Sequence, residues 1–169
     1  ALDGLHMTVV DTPANAAAFG RPSTTRNGEA VAGGYPAVLV VYLCETGTHA
    51  IQDVVIRPCN SSERPSARHL LNQVPTGDLL LWDSGFYSYK LLSQAMDQGV
   101  HVLGPVPSGV LLRPIKRLSD GSYLAKIYPS QYARQKDRDG RIVRILEYTF
   151  DDPNRPGHGE RHRLVTTLL

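Results

Sequence analysis

The sequence predicts an α/β fold in which a mixed sheet has helices on both faces and an antiparallel β-rich subdomain follows it. Up to residue 104, apolar runs of strand type alternate with segments of helical periodicity, an order typical of a mixed or parallel sheet. Beyond residue 104, short strand-like pieces alternate with turn sequences such as Asp120-Gly121, as in antiparallel sheets. We therefore predict a core over residues 1–104 and a β-rich insertion over residues 105–169.

In the first part, Asp3 is predicted to follow a strand end, Gly4 to make a turn, and residues 6–10 to form a short strand or its continuation. Residues 12–35 are rich in Pro, Gly, Asn, Ser and Thr, which indicates a long surface excursion with little regular structure. The run 37–43 is continuously apolar, as in a strand that is covered on both faces. It is predicted to form a hairpin with residues 50–56.

Two helices are predicted next, and the first packs one apolar stripe on a sheet. The first begins at Ser61 or Ser62 and ends before Pro75, with apolar residues spaced i, i+3, i+4 and i+7. Residues 79–82 form a short buried strand that Asp83-Ser84-Gly85 interrupts. The second helix runs to Gly99, and residues 100–103 form the following strand. In the β-rich part, strands are predicted over residues 123–128, 141–150 and 163–168.

Composition excludes several classes of protein. The longest apolar run, residues 37–43, is far shorter than the roughly 20 residues of a membrane span, so we expect a soluble protein. The two cysteines, Cys44 and Cys59, are placed too far apart along the predicted hairpin for a disulfide, which indicates a reducing compartment. The chain opens inside a predicted strand, and we interpret this as a truncated N-terminus.

Charge is distributed unevenly along the chain. Residues 1–112 contain six Lys or Arg and nine Asp or Glu, whereas residues 113–169 contain twelve and seven. The acidic part suits cation binding, and the basic part suits a polyanion. An ordinary solvated surface with a chance imbalance is the competing interpretation.

Two aspartates, Asp3 and Asp83, are placed at predicted strand ends. In open α/β sheets, functional side chains collect beyond the carboxyl ends of strands. Two such carboxylates with a third acid suffice to hold Mg²⁺, which prefers oxygen ligands and supports phosphodiester displacement. By spacing alone, however, an aspartate after a strand is more often a turn former or a helix cap.

A series of motifs along nearly the whole chain resembles the transposase domain of bacterial DDE transposases of the insertion-sequence-four branch. The specificity lies in their order rather than in any one of them. The motifs are Leu2-Asp3-Gly4, Asp11-Thr12-Pro13-Ala14-Asn15, Phe19-Gly20, Tyr35-Pro36, Glu45-Thr46-Gly47-Thr48-His49, Glu63, Leu80-Leu81-Trp82-Asp83-Ser84-Gly85-Phe86-Tyr87-Ser88, Leu118-Ser119-Asp120-Gly121-Ser122 and Leu164-Val165-Thr166-Thr167-Leu168-Leu169.

The resemblance implies an RNase H-like fold and a Mg²⁺-dependent enzyme, with Mn²⁺ as a substitute, in which Asp3 and Asp83 are catalytic metal ligands. The family's third ligand is a glutamate on a later helix, and the chain stops before it. Glu147 and Glu160 match no such signature, so we expect weak or no catalysis from this chain alone. The implied partner is double-stranded DNA, at transposon ends and targets, bound by a homodimer in the cytoplasm at the nucleoid.

Several positions depart from the family pattern. Leu5 replaces the usual threonine, Ser84 replaces the usual arginine, and Pro105 and Pro107 stand where basic residues are expected. Each change removes a polar group near DNA or metal. We therefore hypothesise a diverged or decaying copy with reduced DNA affinity, an idea that tight binding of its own terminal repeats by the full-length parent would contradict.

Basic residues of the second part are candidates for contacts with DNA phosphates, which give salt-dependent affinity that is independent of sequence. The alternative is that these basic residues belong to an ordinary solvated surface of a β-sheet. His158 and His162 have helical i, i+4 spacing, but the H-E-x-x-H order of zinc proteases is absent, so we predict a loop with solvated histidines. The DNA-binding candidates are Lys116, Arg117, Lys126, Arg134, Lys136 and Arg141.

Three functions compete at this stage. The leading prediction is a DNA transposase that cuts at transposon ends and transfers strands. The second is an RNase H-like nuclease without strand transfer, and the third is a catalytically dead DNA-binding remnant.

Overall fold

The computed structural model describes residues 1–26 and 29–169 and divides them into two compact units, Ala1–Gln73 and Val74–Leu169. The class is mixed α/β, which confirms the predicted fold class. Within the described residues, no helix combines the length and the apolar character needed to cross a bilayer.

The first strand, β1 (Leu2–Thr8), runs straight through Asp3 and Gly4. The predicted strand end at Asp3 and turn at Gly4 are therefore wrong. The backbone of β1 continues because every residue from Leu2 to Thr8 has a partner in an antiparallel neighbour. A Cβ atom on Gly4 would lie 2.4 Å from the Glu63 Oε1 atom, which is the far end of a flexible side chain that can move aside, so packing does not require glycine here.

The segment 12–35 contains regular structure, so the predicted irregular excursion is wrong. It holds helix α1 (Pro13–Phe19) and a hairpin of β2 (Ser23–Arg26) and β3 (Glu29–Ala32), while residues 27–28 lie outside the described residues. Thr12 caps α1 by accepting a hydrogen bond of 3.1 Å from the Asn15 N–H. The turn-forming residues of this stretch thus serve as a cap and a first helical turn.

The predicted hairpin is confirmed. Strands β4 (Ala37–Cys44) and β5 (Ile51–Pro58) pair antiparallel, and the sheet order of the first unit is β1-β4-β5. Along β4, residues 39, 41 and 43 are buried, whereas residues 40, 42 and 44 are half-buried. One face of this strand therefore belongs to the core, and the other is only partly covered. Both cysteines are free thiols.

Helix α2 (Glu63–Leu70) and a 3₁₀ turn over Leu71–Gln73 confirm the first predicted helix. Its stripe residues Ala67, Leu70 and Leu71 have no exposed surface, and α2 packs against β4 and β5. Burying the stripe of an amphipathic helix on a sheet face provides most of the stability of such a short helix.

The second unit begins with β6 (Leu79–Leu81), followed by a 3₁₀ turn over Ser84–Phe86, helix α3 (Tyr89–Asp97) and β7 (His101–Pro105). Strands β6 and β7 are parallel, and α3 connects them and packs against β7. These elements match the predicted strand, helix and strand.

The remaining strands are β8 (Pro114–Arg117), β9 (Tyr123–Ile127), β10 (Arg141–Tyr148) and β11 (His162–Thr166), with helix α4 (Gln131–Gln135) after β9. Their pairing is antiparallel, as predicted. The sequence pattern missed β8 and α4. It also placed His162 in a solvated loop, whereas His162 begins β11 and stacks on Tyr148 at 5.3 Å.

The β-rich strands join the β6–β7 pair in one six-stranded mixed sheet of order β6-β7-β11-β10-β9-β8. The junction is β11, which pairs antiparallel with β7 from Leu103 to Pro105. Ala125, Val143, Ile145 and Val165 are completely buried along the inner face. The division into a core over residues 1–104 and an insertion over 105–169 stays a prediction.

Candidate active site

Asp3 lies on β1 with its side chain exposed and both carboxylate oxygens engaged. Its Oδ1 atom accepts a hydrogen bond of 2.7 Å from the Gly4 N–H, and its Oδ2 atom accepts one of 2.8 Å from the Tyr42 hydroxyl. Tyr42 lies directly opposite Asp3 on β4, so the register of the sheet makes this contact. Tyr42 has no signal in the sequence, because only the pairing of β1 with β4 brings it beside Asp3.

The Asp3–Tyr42 contact changes the acidity of the phenol. The hydrogen bond to Asp3, with smaller contributions from desolvation and from the negative charge of Asp3, raises the pKa of Tyr42 above its ordinary value of 10.0. At neutral pH the Tyr42 hydroxyl is therefore a hydrogen-bond donor. It holds one oxygen of Asp3 in a fixed orientation.

Asp83 occupies the end of a strand, as predicted. It follows β6 and is exposed, and its Oδ1 atom accepts a hydrogen bond of 2.8 Å from the Gly85 N–H. This bond caps the 3₁₀ turn over Ser84–Phe86. Asp83 therefore caps a turn, as is common for an aspartate after a strand. It also projects from the carboxyl end of a parallel strand, where ligands bind in open α/β sheets.

Trp82 fixes the backbone on which Asp83 stands. Its side chain is 5% exposed, and its ring packs on Gly104 of β7, where a Cβ atom would lie 2.2 Å from the Trp82 Cδ1 atom. The indole fills the space that the missing side chain leaves. The position of Asp83 is thereby tied to the buried β6–β7 pair.

A polar cleft of about 460 Å³ opens beside Ser84, at the carboxyl ends of β6 and β7. The two prolines that replace expected basic residues, Pro105 and Pro107, line it, but so do Arg161 and Arg163 from the loop before β11 and from β11 itself. The Arg163 guanidinium donates to the carbonyl oxygens of Val110, Pro107 and Ser108. The cleft therefore contains two arginines from a different part of the sequence, together with Glu160, and Glu147 lies 3.6 Å from the Arg161 guanidinium.

Asp3 belongs to the first unit and Asp83 to the second. Among residues 1–26 and 29–169, no group of three or more His, Cys, Asp or Glu side chains is placed to hold a metal ion. Of the two glutamates that match no signature for the third ligand, Glu147 accepts a hydrogen bond of 3.3 Å from the Tyr123 hydroxyl, and Glu160 lines the polar cleft.

Residues 1–158 match the family described as "Transposase DDE domain", and this range includes both aspartates. The chain belongs to the transposase DDE domain family.

Relatives of this transposase DDE domain are found in Escherichia coli (strain K12). Transposase InsG for insertion sequence element IS4 is 33% identical over 93% of this chain, and Putative transposase InsZ is 28% identical over 59% of it. The chain spans 38% and 32% of the lengths of these relatives. A cryo-EM structure of a piggyBac transposase synaptic complex with hairpin DNA is similar over 98% of this chain and 32% of that chain, with a TM-score of 0.49 and 11% identity.

The predicted DNA-binding residues of this transposase DDE domain do not lie on one surface. Lys116 and Lys126 point to the same face of the six-stranded sheet as Leu124. Lys116 pairs with Leu124 across the strands, and Lys126 lies two residues from Leu124 on β9. Arg117 and Arg141 point to the other face, because they pair across the strands with Tyr123 and Ile127, respectively.

Three of these cations already have partners inside the chain. Lys126 contacts both oxygens of Asp137 at 2.8 Å, and Arg141 contacts Asp97 at 2.7 Å. The Arg134 guanidinium donates to the Leu111 carbonyl oxygen at 3.1 Å.

The other three predicted DNA-binding residues, Lys116, Arg117 and Lys136, are exposed. The Arg117 guanidinium lies 6.0 Å from the centre of the Tyr123 ring. Arg113, an exposed arginine directly before β8, was not among the predicted DNA-binding residues.

Proposed function

We propose that this chain is part of the catalytic domain of a DNA transposase, which hydrolyses phosphodiester bonds at transposon ends and then transfers the cut strand to target DNA. The observation that carries the proposal is the family match over residues 1–158, which contains Asp3 and Asp83. The motif order found in the sequence supports the same function.

In this proposal, Asp3 and Asp83 provide oxygen ligands for Mg²⁺, or for Mn²⁺ in its place. Exposed carboxylates on a strand and at a strand end are ligands of the kind that Mg²⁺ prefers. When bound, the metal supplies the activation of the attacking oxygen and stabilisation of the leaving oxygen. Tyr42 and the Gly85 N–H orient the two carboxylates, since each donates to one of their oxygens.

We further propose that the parent protein supplies the third acidic ligand outside these 169 residues. The relatives are more than twice as long as the aligned region, which supports this reading. The RNase H-like arrangement, activity as a homodimer, and action on nucleoid DNA in the cytoplasm belong to the same proposal. The predicted basic residues would contact the phosphates of double-stranded DNA.

The test uses the full-length parent protein, a labelled duplex that carries its transposon end, and Mg²⁺ or Mn²⁺. Asp3→Asn and Asp83→Asn should each abolish nicking while retaining DNA binding, because amides are poor ligands for these cations. Asp53→Asn is the matched control. Asp53 is also a strand aspartate that accepts a 2.7 Å hydrogen bond from the next N–H, so Asp53→Asn should nick like the wild type.

Adding a supercoiled plasmid as target separates the competing functions. Joined products would support a transposase, whereas nicking without joining would indicate a nuclease. DNA binding without metal-dependent nicking by the wild-type protein would contradict the proposal and indicate a binding remnant. Full activity of either Asp3→Asn or Asp83→Asn would show that the assigned carboxylates are wrong.

A further inference from the structure

A basic cleft lies at the far edge of the six-stranded sheet, and it is separate from the polar cleft beside Ser84. Its main hollow of about 580 Å³ is lined by residues before β8, after β9 and along α4, and we call it the Arg113–Arg134 cleft. An adjoining hollow of about 250 Å³ shares both arginines and extends to Lys126. The residues common to both hollows are Leu111, Arg113, Tyr128 and Arg134.

Of the two arginines in this cleft, Arg134 is held in place by the protein. Arg134 is positioned by its hydrogen bond to the Leu111 carbonyl oxygen and by the Tyr128 ring, whose centre lies 5.8 Å from the guanidinium carbon. Arg113 is exposed at the cleft wall. A guanidinium that is already oriented loses less side-chain entropy when it binds an anion.

One carboxylate, that of Asp137, already pairs with a cation of the cleft. Asp137 accepts hydrogen bonds from the Lys126 ammonium at 2.8 Å and from the Tyr128 hydroxyl at 2.6 Å. Its backbone is left-handed, with φ of 46°, which is unusual for a residue other than glycine. Three cations and one anion leave the cleft with a positive charge.

We propose that the Arg113–Arg134 cleft binds a backbone phosphate of duplex DNA, and that Asp137 weakens this binding by competing for Lys126. The inference rests on the proposed function for the identity of the ligand. Arginine forks match phosphate oxygens in a bidentate geometry. The apolar side chain of Leu111 and the ring of Tyr128 provide walls for a deoxyribose.

The position of the cleft separates this contact from the chemistry. Asp83 follows β6, at one edge of the sheet, and the cleft adjoins β8, at the other edge. Five strand spacings of about 4.8 Å give a lateral separation of roughly 24 Å. This length corresponds to about seven base pairs of duplex DNA. The cleft would therefore hold the duplex at a distance from the cut. Because phosphate contacts carry no sequence information, it would read no sequence.

The experiment measures binding of the 169-residue chain to a labelled 20-base-pair duplex by fluorescence anisotropy, with EDTA present, at 50 to 200 mM salt. The double variant Arg113→Ala/Arg134→Ala should reduce the slope of log affinity against log salt by about 0.9, the value for one phosphate contact, and each single variant should reduce it by less. The fourfold rise in salt should then weaken the double variant about 3.5-fold less than the wild type. Arg57→Ala, a change at an exposed arginine of the first unit, is the control and should keep the wild-type slope.

Asp137→Asn provides a second variant with the opposite sign. Asparagine tolerates the left-handed backbone, so the fold should be kept, and release of Lys126 should tighten binding and steepen the slope. Arg113→Glu should weaken binding more than Arg113→Ala. Circular dichroism checks that each variant is folded.

An unchanged slope for the double arginine variant, or a wild-type chain that does not bind the duplex, would overturn this inference. Weaker or unchanged binding by Asp137→Asn would overturn the competition by Asp137. Because the assay contains no metal, none of these results decides whether Asp3 and Asp83 cut DNA. The nicking assay on the parent protein decides that separately.

Discussion

Replacing Gly104 with alanine tests the packing that positions Asp83. The added methyl group would lie 2.2 Å and 2.4 Å from two atoms of the Trp82 ring and 2.9 Å from the Trp82 carbonyl oxygen. A ring can tilt, but the carbonyl belongs to the backbone beside the β6–β7 pair, so both strands must shift. Overpacking of this kind costs typically 1–3 kcal/mol, and the backbone clash places Gly104→Ala in the upper part of this range.

A loss of about 2–3 kcal/mol should lower the melting temperature of a chain of this size by about 4–12 °C. Trp82 is the only tryptophan, so its fluorescence reports the change at the site itself. Gly109→Ala is the matched control, because a Cβ atom at Gly109 meets no atom within 4 Å. Melting of Gly104→Ala within about 1 °C of the wild type, with the control unchanged, would refute the proposed packing of Trp82 on β7.

Three further predictions concern the first unit. Asp3→Asn should lower the pKa of Tyr42 toward 10.0, because the hydrogen bond to a carboxylate is lost, and ¹³C NMR titration of the tyrosines would show no shift if the contact is absent. Hydrogen bonds from Thr48 and the Gly47 N–H lower the pKa of Glu45 from 4.5 to about 2. The ionised Glu45 side chain therefore contributes fully to stability above pH 4.5, and this contribution is lost as the pH falls toward 2. Glu45→Gln should therefore flatten the decline of unfolding free energy over that pH interval, and an identical decline in both proteins would contradict the assignment. Leu39→Ala should cost about 2–5 kcal/mol in urea denaturation because Leu39 is fully buried, and a loss below about 1 kcal/mol would be inconsistent with its place in the core.

Elements with a strong local signal were predictable from the chain alone. The hairpin of β4 and β5, helix α2, and the succession of β6, α3 and β7 all appear where apolar periodicity and turn residues indicated them. The family was predictable as well, because many short motifs occur in a fixed order, and the match over residues 1–158 confirms it. Asp83 at a strand end follows from the contrast between an apolar run and Asp-Ser-Gly.

Elements whose stability comes from distant partners were not predictable. Local propensity reads Gly4 as a turn, but the ladder with β4 keeps β1 extended through it. Strand β8 has four exposed residues and no alternation, so only its pairing with β9 defines it. The excursion 12–35 was misread because Pro, Asn and Thr serve equally well in loops and in helix caps.

The local order of apolar, turn and acidic residues determined the class of fold, the family and the two candidate aspartates. The tertiary structure decided which side chains lie together. Examples are Tyr42 beside Asp3, Gly104 against Trp82, and the two arginines of the basic cleft. The physical reason is that periodicity depends on neighbours along the chain, whereas hydrogen-bond ladders and side-chain packing join residues that are tens of positions apart.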